Sequence, residues 1–362
     1  MKILHVESGK HFYGGARQVA YIIEGLSRLG VDNILACPAG ADIAREAARY
    51  AQVVEMPMKG DADIGLVSRL TAVIRSEKPD IVHLHSRRGA DIWGGIAAKL
   101  TQTPCILSRR VDNPESRLLV SLKYRLYDHV ITISEAIRQV LLSEGVPPEK
   151  VTCVRSAVDP EPYLHPVDRA AMQEEFSLPE NVIIIGIVAQ LIPRKGHAYL
   201  IEAIERLTKE YPSVRVLCFG QGPLRSQLEA IVQQKGLSGI IQFTGFRTDL
   251  PRWLGGLDIL AHPADMEGLG VSLLQAAAAA VPVVTTRAGG LPEAIQEGET
   301  GILIEPADIS ALATALKQLI DDTDLRLTLG LAGRKRIMTD FSVEAMARGN
   351  LDVYRKVLNH HH

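Results

Sequence analysis

The sequence predicts an α/β protein of two doubly wound domains, each a mostly parallel sheet with helices on both faces. Three observations carry this. Short apolar runs of strand length alternate with helix-periodic segments along almost the whole chain, the pattern that builds parallel sheets. Near the middle, the stretch from Ser156 to Pro166 holds Pro160, Pro162 and Pro166 and interrupts the series. The length of 362 residues suits two domains of ordinary size. The expected domains are residues 1–160 and 167–340. A last helical pattern follows at 343–358, and the histidines at 360–362 read as a tag remnant.

In the first half, strand candidates are Ile3 to Val6, Asn33 to Cys37, Val53 to Met56, Ile81 to His85, Cys105 to Ser108, Val130 to Ile133 and Val151 to Arg155, with helical patterns such as Ala16 to Leu29 and Ile64 to Ser76 between them. The loop from Glu7 to Arg17 is glycine-rich and leads into a helix, but its glycine spacing is not the Gly-x-Gly-x-x-Gly dinucleotide fingerprint. A NAD-binding domain is therefore not expected. His83 and His85 stand two residues apart, so they share one face of their strand. Arg87, Arg88, Arg109, Arg110, Arg117, Lys123 and Arg125 cluster after two successive strands. They could face an anionic acceptor or lipid headgroups, and the segment from Ser116 to Tyr127 alternates leucines with basic residues as a membrane-surface helix does; a solvated helix face explains it equally well. Ser134 is placed to cap the helix that follows it.

The second half repeats the alternation: strand Ile183 to Ala189, helix His197 to Glu210, strand Val214 to Phe219, helix Leu224 to Gln234 and strand Ile240 to Thr244. From Leu257 to Val284 comes a strand, a loop with Gly268 and Gly270, an alanine-rich helix and another strand. Such a loop lies at the ligand edge of a parallel sheet, and the first amides of its helix favour an anion, a phosphate being the natural guess. Glu267 and Gln275 are eight positions apart, roughly two helical turns, and can face one ligand. Patterns at 308–320 and 325–337 are helical.

A formal net charge of −2 gives no basic footprint for nucleic acid. Cys37, Cys105, Cys153 and Cys218 are far apart in apolar runs and read as buried free thiols of a reducing compartment. The chain opens directly into a strand without a signal-peptide pattern, and no apolar run approaches a membrane span. A cytoplasmic protein follows, with the inner membrane face as a place of work if the basic cluster binds lipid.

Glu267-Gly268-Leu269-Gly270 followed by Leu273-Leu274-Gln275-Ala276 resembles the glutamate-to-glutamate signature of retaining nucleotide-sugar glycosyltransferases of family four. Gln275 departs from it, standing where the family usually has the glutamate that holds the donor ribose. Further along the resemblance, Lys195 matches the lysine that grips the donor diphosphate. Gln190 stands where an arginine is usual, and the adjacent Arg194 could supply the missing charge. Gly15 carries over to the loop that faces sugar and diphosphate, and His85 to the histidine near the transferred sugar. Phe219-Gly220-Gln221-Gly222 and Ala288-Gly289-Gly290 follow family patterns, and Gly245 and Phe246 fall where the base is held. The resemblance also implies that the last helix packs back on the first domain.

What the resemblance implies is a GT-B fold, its two domains facing across a cleft, and retaining transfer of a hexose-type sugar from a nucleoside diphosphate to an acceptor hydroxyl. No cofactor is implied. The nucleotide sugar, UDP- or GDP-linked, is a co-substrate; the acceptor is a glycan, a lipid-linked species or a small molecule. No Asp-x-Asp metal motif appears where the family comparison needs one, so Lys195, helix amides and Arg194 are expected to replace a divalent ion. Glu267 is expected to hold sugar hydroxyls. A GT-B sugar-nucleotide epimerase is the nearest alternative, and a two-lobed sugar-binding protein is the alternative outside catalysis.

Overall fold

The computed structural model describes residues 1–86, 89–111, 115, 120 and 122–361. Arg87, Arg88, Arg117 and the rest of 116–119 and 121 in the leucine-and-arginine segment lie outside the described residues; within that segment, Tyr124–Leu126 is a short 3-10 turn. The chain divides into two compact units, Met1–Ala157 together with Val343–His362, and Val158–Ser342.

Unit 1 is a seven-stranded sheet of β1 (Lys2–Val6), β2 (Asp32–Pro38), β3 (Gln52–Met56), β4 (Ile81–Leu84), β5 (Cys105–Arg109), β6 (His129–Thr132) and β7 (Val151–Cys153). Its order is β3-β2-β1-β4-β5-β6-β7, and every pairing is parallel. Helices cover both faces, so β4, β5 and β6 are buried at every position, as strands covered on both sides must be. Alternate residues of one strand serve opposite faces. Ile3 of β1 packs with Ile22 and Leu26 of the helix Gly14–Arg28 and with Met346 and Tyr354 of the last helix, Val343–His361. Its neighbour Leu4 packs with Leu66, Leu70 and Ile74 of the helix Gly65–Glu77. The last helix therefore belongs to this unit's core, and a Cβ at Gly25 would press on Ala347 where the two helices meet. Gln18 fastens the end of the unit, donating to the Ala157 carbonyl at 2.7 Å and accepting from its N–H at 2.9 Å.

Unit 2 has six parallel strands, β8 (Ile183–Val188), β9 (Val214–Phe219), β10 (Ile241–Gly245), β11 (Ile259–His262), β12 (Val283–Thr286) and β13 (Gly301–Ile304), in the order β10-β9-β8-β11-β12-β13. Its core joins Ile185, Ile187 and Val216 to the apolar faces of the helices His197–Leu207 and Ile309–Asp321. The serine cap is present: Ser134 Oγ accepts from the Ile137 N–H at 3.2 Å. Asp308 and Asp322 cap the two helices after β13 in the same way. Cys37, Cys105 and Cys218 are buried thiols as expected, whereas Cys153, at the end of β7, is only partly buried; burial pushes the thiols of Cys37 and Cys218 up to about 12. Among the described residues no helix is long and apolar enough to cross a membrane.

Candidate active site

In each unit the chain leaves one strand to build the sheet in one direction and then returns to build the other way. Loops diverge at that switch point and leave a crevice at the carboxyl ends of the strands, where doubly wound folds bind ligands. The switch lies between β8 and β11 in unit 2, and between β1 and β4 in unit 1.

In unit 2 the loop leaving β8 makes a short 3-10 turn, Pro193–Lys195, and enters the helix His197–Leu207 through Gly196. Gly196 has φ of 73°, and a Cβ there would collide with the Pro263 carbonyl, so only glycine lets the two switch-point loops approach. The Arg194 carbonyl accepts from the Asp265 N–H at 2.9 Å and ties the loops together. Lys195 is thereby buried with its ammonium on the Glu267 carboxylate. His262, the last residue of β11, places Nε2 3.3 Å from the same carboxylate, and the Gly268 N–H donates to its other oxygen at 3.2 Å. Burial alone would raise the pKa of Glu267; the His262 hydrogen bond and the Lys195 charge outweigh it and hold the group at about 2. Glu267 is thus a carboxylate at every physiological pH. His197, beside Lys195 and His262, is buried with neither ring nitrogen hydrogen-bonded among the described residues, and burial and its two neighbours lower its pKa to about 4.

The loop from β11 reaches the helix Val271–Ala278 through Gly270, at φ of 79°, with Leu269 buried beneath and Gly268 partly open. Gln275 lies on that helix and donates from Nε2 to the Tyr163 hydroxyl at 2.7 Å, which leaves Oε1 to accept from an incoming hydroxyl. Gly220 is held by backbone, its N–H donating to the Gly245 carbonyl at 2.8 Å and its missing Cβ making room for the Ala189 carbonyl. Phe246 follows at the surface with 56% of its area exposed. Gln190 and Arg194 are both exposed, whereas Lys195 is buried. Adjacent residues point apart here, and Arg194 does not join Lys195 on Glu267. A hollow of about 560 Å³ runs along β9 and β10, and none of the switch-point loops lines it.

In unit 1, a cavity of about 440 Å³ lies at the switch between β1 and β4, lined by Glu7, Gly15, His85, Ser86, Arg110 and neighbours. Gly15 sits in the first turn of the helix Gly14–Arg28, exposed, with nothing within 4 Å of where a Cβ would be. The fold does not require glycine there. His85 follows β4 and is 2% exposed. Burial drives its pKa well below the ordinary imidazole value, and the neighbouring His83, His5 and Arg110 add to this. The rings of His5, His83 and His85 lie close enough for their nitrogens to share a metal ion. All of those nitrogens already have partners, however: His83 bonds the Tyr354 hydroxyl at 2.7 Å and Ser108 Oγ at 2.8 Å, and His5 lies between Asn33 and His85. The guanidinium of Arg110 beside them also opposes a cation.

The basic cluster reads differently in three dimensions. Arg109 is 2% exposed and pairs with Glu115 at 2.9 Å; Lys123 pairs with Asp91 at 2.8 Å and with Glu115 at 3.1 Å. Arg110 is half-buried and turned to His85. These three charges answer acids and an imidazole inside unit 1 and do not form a face for lipid headgroups.

The two units correspond to two sequence models. Residues 12–162 match Glycosyltransferase Family 4 and residues 168–336 match Glycosyl transferases group 1. The chain is a family four glycosyltransferase.

Relatives agree with this along its length. It is 26% identical to the lipopolysaccharide core biosynthesis glycosyltransferase LpsE of Rhizobium meliloti over 99% of both chains, and 28% identical to the 2-deoxystreptamine glucosyltransferase of Streptomyces kanamyceticus over 76% of this chain and 77% of that one. Among solved structures, a glycosyltransferase from Rickettsia africae superposes with a TM-score of 0.87 at 22% identity, covering 99% of this chain and 98% of the other. Anabaena HepE in complex with UDP-glucose gives 0.85 at 20% identity, covering 98% and 100%. The fold of the transferase is GT-B.

Several residues at the transferase's switch points escaped the sequence reading. Tyr163 lies in the proline-rich linker, His262 ends a strand that reads as core, and His5 and Asn33 are single polar residues in apolar strands. The signal for His5 is the register, since it stands directly beside His83 across the β1–β4 pairing.

Proposed function

We propose that the protein transfers a hexose-type sugar from a nucleoside diphosphate to a hydroxyl of a glycan, lipid-linked or small-molecule acceptor, retaining the anomeric configuration and needing no divalent ion. The observation that carries this reading is the meeting of Lys195 and Glu267 at the switch point of unit 2, on the two loops that leave β8 and β11. In this reading the Lys195 ammonium turns to the diphosphate as the sugar–oxygen bond breaks, offsetting charge that grows toward the transition state. Glu267, ionised and held by His262, accepts from two sugar hydroxyls at once. The bond from the anomeric carbon to the diphosphate breaks and the bond to the acceptor oxygen forms on the same face. The acceptor proton passes to the departing phosphate oxygen. His85 accepts from a sugar hydroxyl, and Gln275 from the ribose. Names among the relatives, including lipopolysaccharide core synthesis, favour an acceptor in a glycan or glycolipid pathway.

A thermal-shift screen of nucleoside diphosphate sugars identifies the donor as the compound that raises the melting temperature most. Slow hydrolysis of that donor, insensitive to EDTA, is expected, with the anomer of the transferred product read by NMR. Binding without hydrolysis, formation of an epimer in the absence of acceptor, or an inverted product each overturns the proposal.

A further inference from the structure

The buried histidines of unit 1 form a chain whose direction can be worked out from its two ends. Asn33, in β2, donates from Nδ2 to the carbonyls of Val31 at 3.0 Å and Ile23 at 3.2 Å. Two carbonyl acceptors fix the amide's orientation, so its Oδ1 is the atom that faces His5 Nε2 at 3.1 Å. An oxygen there accepts, and His5 must carry its proton on Nε2. His5 is fully buried and burial lowers its pKa to about 4, so the ring is neutral and Nδ1 is a bare lone pair. That lone pair lies 2.9 Å from His85 Nε2, which must therefore be the N–H. A neutral His85 with its proton on Nε2 has nothing on Nδ1. The far end gives the same answer independently, because Arg110 Nη2, which can only donate, lies 3.4 Å from that Nδ1.

We infer that Asn33 and His5 are positioning residues that lock His85 in its Nε2–H tautomer, so that its Nδ1 is held as an acceptor, engaged by Arg110 at 3.4 Å, which can take a hydroxyl proton in that donor's place but cannot donate to a phosphate. Neither residue lines the cavity, and each acts only through the next. A ring with two nearly equal tautomers would offer the lone pair part of the time; the relay keeps it available throughout, as partners behind a metal-bound or catalytic imidazole do. The role in catalysis rests on the function proposed above, while the tautomer itself does not.

The two are tested separately. Long-range proton–nitrogen NMR of the full chain at pH 7.5, with the rings assigned from His5→Phe and His85→Gln spectra, is expected to show neutral rings protonated on Nε2 at both His5 and His85. A proton on Nδ1 of His85, or an imidazolium, overturns the inference, and this arm needs no substrate. In the kinetic arm, His5→Phe keeps the ring shape but removes the Nδ1 acceptor, and Asn33→Leu removes the first acceptor of the chain. Both are expected to lower kcat roughly tenfold with donor KM within about twofold, and His5→Phe to convert His85 to a mixture of tautomers. Wild-type kcat in a folded His5→Phe protein overturns the positioning role. If the wild-type protein turns over no donor at all, the proposed function fails and the NMR arm alone decides the tautomer.

Discussion

At the scale of single residues, the site is built from pairs whose partners decide what each group can do. Lys195 and Glu267 form an ion pair on the two loops at the switch point of unit 2, and the proposed function has them meet the diphosphate and its sugar there. Lys195→Ala is expected to lower turnover at least roughly tenfold while changing donor affinity less, a loss of about 1.4 kcal/mol or more of transition-state stabilisation. Turnover close to wild type would remove Lys195 from the mechanism. Gln275, like Gln190, departs from the pattern that the family resemblance describes. Its amide donates to the Tyr163 hydroxyl, and a carboxylate in its place would instead accept from that hydroxyl while keeping lone pairs for the ribose. A charge-assisted hydrogen bond is about twice as strong as a neutral one, so Gln275→Glu should tighten binding of a ribonucleotide donor and help a deoxyribose analogue little. Repulsion of the diphosphate opposes this, but more than one helical turn separates position 275 from the helix start at Val271. Calorimetric titration of both analogues decides the matter, since an equal gain for the two places the effect somewhere other than the ribose.

At the scale of elements, two glycines that look alike in the sequence do opposite things. Gly196 joins a turn to a helix at positive φ against the Pro263 carbonyl, so Gly196→Ala forces the β8 loop away from the β11 loop and takes Lys195 off Glu267. Left-handed strain of ~1–2 kcal/mol adds to that collision, and the expected result is a less stable unit 2 together with lost activity. Gly15 has open space around it in a helical turn. Gly15→Ala should leave stability unchanged or raise it by up to about 1 kcal/mol, because alanine is the better helix former, yet impair activity by occupying space at the cavity. Urea denaturation beside a turnover assay separates the two outcomes, and a Gly15→Ala protein with normal activity would return that glycine to a purely local role. The same contrast explains what the sequence made legible. Strand and helix alternation, the proline break and the switch-point loops are properties of contiguous residues and could be read directly. The meaning of His5 depends on its register beside a strand that begins at Ile81, and that of Arg109, at the end of β5, depends on Glu115, which a linear reading does not set beside it. Charge is visible in a sequence, but the acid it meets is not.

At the scale of the whole molecule, the site histidines make folding sensitive to mild acid. Burial lowers the pKa of His5 and of His197 to about 4, and it also lowers those of His83, His85 and His262. An imidazole in the unfolded chain titrates near ~6.5. Above that pH neither state binds the proton and the full stability is present. Between about 6.5 and 4 the unfolded chain takes up protons that the folded chain refuses, so stability falls as pH falls. His5 and His197 each account for a loss on the order of 3 kcal/mol across that window, which is a large share of the stability of an ordinary domain. Glu267 adds to the loss only lower down, because its folded pKa of about 2 lies beneath its ordinary value and its contribution disappears as pH drops through that range. Thermal unfolding followed at pH 7.5, 6 and 5 should therefore show a melting temperature that is nearly constant above pH 7 and drops steeply below 6.5. A melting temperature that holds steady down to pH 5 would mean that these rings take up protons in the folded state, and the neutral relay from Asn33 to His85 would then have no basis.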